Sequence, residues 1–274
     1  MRVAIPVAFG IVIWLPPLPS AAQTTGVVVT GDSATARLVY HGKALHPFCL
    51  DFDAERLDRV KPILLASCTD TVVAIQADAD GWRRAKHRDP DTPRIIGYRA
   101  LASAGDRFLV ATEAYGYGSG QFSNLFWVRL ESDRVAVVRD IAAGDRCGGG
   151  LSGYTVDHSG VVFRVATTAR DVIKLARVSV PDSLRLRLRD GYYACDGNAT
   201  YRYDFASQRR TLLSLTLDTT GAYIDGLPSV GGPPRERAQL CFDRLAREYV
   251  VSARQVLSLT DLAAFAHAFL ARCA

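Results

Sequence analysis

Nothing constrains the fold of this 274-residue chain more than six cysteines downstream of an export-type leader. The leader, MRVAIPVAFGIVIWLPPLPSAAQ, has one basic residue, Arg2, then an apolar stretch from Val3 to Leu18, then a small-residue site. Ser20 and Ala22 stand at the positions that precede a cut before Gln23. This is the layout of a secretory signal over 1–22, too short and too broken by Pro6, Pro16 and Pro17 to make a stable span. The expected compartment is periplasmic or secreted, hence oxidising, and an even set of cysteines there forms disulfides. Metal ligation is the competing use. However, there is no CxxC pair, and His41, His46, His87, His158 and His267 make neither an HExxH motif nor a cysteine-adjacent ligand set. No metal and no cofactor are expected.

Which cysteines pair is read from the local patterns. From Gly26 to Leu217 the chain reads as short strands rich in β-branched and aromatic residues, separated by Gly, Asp and Ser turns. Expected strands include TARLVYH (35–41), TVVAIQA (71–77), RIIGYRAL (94–101), DRFLVATEA (106–114), NLFWVRLE (124–131) and RVAVVRDI (134–141). VVFRVATT (161–168), TYRYDF (200–205) and RTLLSLTL (210–217) continue the series. In TYRYDF, Tyr201, Tyr203 and Phe205 alternate with Thr200, Arg202 and Asp204, the period of a half-buried strand. Ser132 and Asp133 suit a tight hairpin. One helix is expected early, at about 52–61, limited by Pro62.

After GLPSVGGPP (226–234) the period changes. Ala238, Cys241, Phe242, Leu245 and Tyr249 recur at helical spacing, as do Leu262, Phe265, Ala266, Phe269 and Cys273, with Thr260 a candidate cap for the second helix. A short link makes the two helices antiparallel. That brings the start of the first beside the end of the second, so Cys241 and Cys273 are expected to bridge. The expected organisation is a signal peptide at 1–22, a β-rich domain at 23–225 and a helical hairpin at 226–274 packed on it. The fold class is mainly β, with antiparallel sheets in a sandwich-, barrel- or propeller-like arrangement.

The remaining question is Cys147 in GDRCGGGLSG (144–153). Gly144, Asp145, Cys147, Gly148 and Gly149 resemble the nucleophile loop of viral chymotrypsin-like cysteine proteases. That resemblance implies a triad of His46, Asp106 and Cys147, with glycine amides turned inward as an oxyanion hole. It covers the six residues 144–149 and departs at the histidine, since His46 lies in LHPFC beside a cysteine. A phosphate loop would need a lysine after the glycines, and none follows. The simpler reading is a sharp turn with Cys147 bridged to Cys195, which leaves Cys49 for Cys68.

Charge and composition exclude other roles. The net charge is +5, and the basic groups RRAKHR (83–88) and RLRLRD (185–190) sit in a chain with acids interspersed throughout, which argues against a nucleic-acid face. After Ala22 no apolar run approaches the roughly 18 residues of a membrane span. QADADGW (76–82) offers Asp78, Asp80 and Gly81 at calcium-loop offsets but has His87 where a bidentate Glu is required, so it reads as an acidic turn. Asp51, Asp53 and Glu55 suit a helix N-terminus, and the sequon residue Asn198 suits a turn. AYGYGSGQFSN (114–124) is the candidate binding loop: Tyr115 and Tyr117 alternate with glycines, and Phe122 adds a third aromatic. The expected function is that of an exported, disulfide-stabilised binding protein (an inhibitor, an immunity-type protein or an envelope factor) that contacts a protein or glycan. The alternative is a secreted hydrolase using Cys147.

Overall fold

The structure, a computed structural model, describes residues 38–51, 61–69, 75–86, 94–116, 121–188, 195–219 and 237–274. The leader, Asp53, Glu55, Tyr117 and, apart from Lys61, the helix expected at 52–61 lie outside the described residues.

The chain opens with β1 (Val39–Tyr40), β2 (Lys43–Ala44), a 3-10 turn (Pro47–Leu50), β3 (Ile63–Leu64) and α1 (Leu65–Thr69). A meander follows: β4 (Gln76–Ala77), β5 (Arg83–Lys86), β6 (Arg94–Ala104), β7 (Arg107–Gly116), β8 (Gln121–Leu130) and β9 (Arg134–Asp145). Next come β10 (Leu151–Asp157), β11 (Gly160–Thr167), α2 (Ala169–Leu175), α3 (Asp182–Arg185), β12 (Gly197–Asp204) and β13 (Arg209–Leu217). The chain closes with α4 (Arg237–Val251), β14 (Val256–Leu257) and α5 (Leu259–Cys273). Every strand pairing among these is antiparallel. The larger sheet has seven strands in the order β3-β9-β8-β7-β6-β5-β4, and the smaller has five in the order β10-β11-β12-β13-β14. The hairpin expected at Ser132 and Asp133 closes where Glu131 N–H donates to Arg134 O at 2.8 Å.

Alternation along the long strands gives the larger sheet two buried faces. On one, Tyr98, Val110, Phe126 and Val128 pack on Leu38, Leu45, Leu50 and Leu65, with the Cys49–Cys68 disulfide among them. The buried Tyr98 hydroxyl donates to Leu45 O at 2.9 Å, so the N-terminal segment is held by a specific bond as well as by apolar contact. On the other face, Leu109, Ala111, Leu125 and Trp127 share a core with Phe163, Ala199, Tyr203 and Leu215 of the smaller sheet. The two sheets thus close on one another, burying the second apolar face of the larger sheet against the apolar face of the smaller.

The C-terminal helices join that second core through Leu245 and through Phe242, whose ring meets those of Phe265 and Phe269 edge to face. The Cys241–Cys273 disulfide closes the antiparallel hairpin. Two details differ from expectation. Thr260 lies inside α5, and Ser258 caps it. The Ser258 hydroxyl accepts from Asp261 N–H, while the Asp261 carboxylate accepts from Ser258 N–H, a reciprocal box that Thr260 has no acid to complete. The connection between the helices also holds β14, which pairs with β13, so the hairpin contributes an edge strand to the smaller sheet. Asn198, expected in a turn, lies within β12 and accepts a bond from the Ser152 hydroxyl at 2.7 Å.

Candidate functional site

The glycine loop joins the larger sheet to the smaller one, and its backbone explains its composition. Gly149 adopts φ +91°, where side chains are strained. A Cβ on Gly150 would sit 2.6 Å from Arg146 O, so only glycine lets the two backbone segments approach. The loop then runs into β10, a strand the sequence hid behind its glycines. All three loop amides are occupied: Gly148 N–H donates to Asp145 O, Gly149 N–H to Ala166 O and Gly150 N–H to Arg146 O. Donors already bonded to carbonyls cannot stabilise an oxyanion or cradle a phosphate. Cys147 is bonded to Cys195, so it carries no thiolate here. His46 is buried at the start of the 3-10 turn, where its Nδ1 accepts from Phe48 N–H at 3.3 Å, and Asp106 lies in the β6–β7 turn.

Beside this loop lies a cleft of about 400 Å³, where the inner face of β7 and β8 extends past the core. Its lining includes the aromatic residues Trp82, Tyr115, Phe122 and Tyr154, together with Glu113, Ser123, Arg146 and both members of the Cys147–Cys195 bridge. Tyr115 and Gln121 are direct partners across β7 and β8, which puts two of the residues of the candidate binding loop at the mouth of the cleft. Tyr115 is 37% exposed.

A continuous polar chain backs these aromatics. Arg84 bonds both Asp78 and Glu113, the Tyr115 hydroxyl donates to the second Glu113 oxygen at 3.0 Å, and the Arg84 guanidinium lies 5.1 Å from the Trp82 ring centre. Burial works against the Arg84 charge, but Glu113 and Asp78 outweigh it and raise the guanidinium above its ordinary value. Burial also pushes the Tyr115 phenol up, with the Glu113 carboxylate adding to it, and pushes Tyr154 up against the opposing pull of Arg99. Both phenols therefore stay neutral and act as hydrogen-bonding aromatic walls. The acidic turn at Asp78 closes on Trp82, whose backbone N–H donates to Asp78 Oδ1 at 2.9 Å. Asp78 of QADADGW thus positions the aromatic that ends the turn.

The cleft joins Tyr115 and Phe122 to residues the sequence did not single out: Trp82, Glu113 and Tyr154. The available signal was the lone Trp after an acidic turn. Its proximity to Tyr115 depends on β5 and β7 flanking β6, a matter of sheet order. Among the described residues no group of His, Cys, Asp and Glu is placed to hold a metal. No helix among them is long and apolar enough to cross a membrane. Comparison with protein-family models, curated proteins and solved structures found no match.

Proposed function

We propose that this chain is an exported, disulfide-stabilised binding protein that grips a protein or glycan partner with the Tyr115–Phe122 hairpin and the cleft behind it. The observation that carries this reading is the cleft itself. Four aromatic residues line a space of about 400 Å³, backed by an Asp78–Arg84–Glu113 chain, one guanidinium between two carboxylates, that positions Tyr115. Aromatic surface over fixed polar groups suits sugar faces and protein side chains alike. The occupied loop amides and the Cys147–Cys195 bridge favour this reading over a cysteine hydrolase.

The reading takes 1–22 as a signal removed before Gln23, 23–225 as the β-rich domain and 226–274 as the helical hairpin, with the mature protein in the periplasm or outside the cell. N-terminal sequencing of the exported protein is expected to begin at Gln23. Thiol titration of the native protein is expected to find no free sulfhydryl. The decisive experiment compares wild type with a Tyr115→Ala, Tyr117→Ala double variant in glycan-array binding and in pull-down from an envelope extract. Capture should fall while the melting temperature moves by less than about 2 °C, because in this reading Tyr115, partly exposed at the cleft mouth, carries interface energy. A large melting shift with capture unchanged would retire the binding-loop reading.

A further inference from the structure

The glycine loop also borders a larger pocket, of about 700 Å³, that opens between β9 and α2. Much of its lining is apolar, from Phe122, Ala142, Val165, Leu175 and Leu212. Set into that lining are three cations, Lys174 and Arg177 at the end of α2 and Arg210 of β13. Arg210 is held in place: its guanidinium donates to Ile141 O at 2.8 Å and lies 5.0 Å from the Tyr201 ring centre. Lys174 and Arg177 form no side-chain hydrogen bond or ion pair among the described residues.

Tyr201 lines the same pocket. Burial pushes its phenol up, with Arg210 and Arg177 pulling against that and Asp171 adding to it, so the hydroxyl stays a neutral donor. Two carboxylates share the lining, and both are already bonded by neutral donors. Asp145 accepts from Gln121 N–H at 2.8 Å, and Asp171 accepts from the N–H and hydroxyl of Thr168 as part of the α2 cap. Three cations against two carboxylates leave one positive charge unanswered beside apolar walls. A phosphate, close to doubly charged at neutral pH, would overshoot that charge and fill little of the space. The charge fits a monoanion, and the volume fits an apolar body attached to it.

We propose that this pocket binds a monocarboxylate carried on an apolar body, its carboxylate answering Lys174 and Arg177 and accepting from Tyr201, its body lying against the apolar lining. Tyr115 takes no part in it, so the site is independent of the cleft proposed for partner binding.

Isothermal titration calorimetry of the whole protein at constant ionic strength tests this with sodium hexanoate and sodium phenylacetate. Acetate, which lacks the body, and hexanamide, which lacks the charge, are the controls. Saturable binding is expected, with acetate and hexanamide at least about tenfold weaker. Lys174→Gln and Arg177→Gln should each weaken binding about threefold, and together about tenfold, the scale of exposed charge pairs. Their ligand-free melting temperatures should match wild type, since neither side chain holds the fold. Tyr115→Ala should leave the affinity unchanged; a loss there would move the binding to the cleft and overturn the assignment. Tighter binding of hexanoate identifies an aliphatic body, and tighter binding of phenylacetate an aromatic one. No saturable heat below about 10 mM of either anion overturns the assignment, as does hexanamide binding as tightly as hexanoate or unchanged affinity in the double variant.

Discussion

Replacing Cys241 and Cys273 together with alanine isolates what the C-terminal bridge contributes. The two residues are separated by 32 positions, and on the chain-entropy account closing that loop removes about 3.7 kcal/mol of unfolded-state freedom. Little else should be lost, because both cysteines are only half-buried and the hairpin keeps its own apolar seam. The Phe242 ring centre lies 5.4 Å from that of Phe265 and 6.0 Å from that of Phe269, and all three are buried. The double variant should therefore fold with its helices docked and lose about 3–4 kcal/mol in equilibrium urea unfolding. Its m-value should rise, because an unfolded chain without the cross-link exposes more surface. Far-UV circular dichroism follows helix loss, and tryptophan fluorescence reports the core around Trp127. A loss below about 1 kcal/mol with an unchanged m-value would refute the reasoning, since the bridge would then not restrict the unfolded chain. Peptide mapping that links Cys241 to another cysteine would refute it too.

Gly150→Ala should destabilise by about 1–3 kcal/mol in the same assay, because its Cβ meets backbone atoms of Arg146, which have nowhere to retreat. Tyr98→Phe should cost about 1–2 kcal/mol by leaving the buried Leu45 carbonyl unpaired, and near-neutrality would show that water replaces the lost donor. Asp157 accepts from the hydroxyl and N–H of Ser159 and pairs with Arg202, and these bonds hold its carboxyl far below the usual range. A depressed folded value means stabilisation that is complete above about pH 4 and is lost as pH falls toward the folded value. Asp157→Asn should therefore flatten the acid limb of a stability–pH curve, and a limb of unchanged slope would remove Asp157 from the account.

Much of the candidate site could not be read along the chain. Tyr115 and Phe122 stood out because tyrosine and glycine alternate between strong strands, a local pattern. Glu113 and Tyr154 carry no local mark: each becomes significant only when sheet order and the closing of two sheets set it beside Trp82 and Tyr115. Period-two alternation correctly turned Tyr203 inward, but only strand order and register bring Trp127 and Arg139 beside it. Strand β10 was obscured because Gly148, Gly149 and Gly150 read as turn.

Much that depends on near neighbours could be read along the chain. Alternating residues made strands, and helical spacing put Cys241 and Cys273 at adjoining ends of a hairpin, although the cap expected at Thr260 falls at Ser258. Those outcomes follow from backbone periodicity and short-range hydrogen bonding, which act within a few residues. The tertiary structure alone decided which strands are neighbours and which face meets which. It also decided that the glycine amides after Cys147 are spent on carbonyls as distant as Ala166. Those are contacts between residues far apart in the chain, and their partners are chosen by the joint burial of two sheets and a helical hairpin around shared cores.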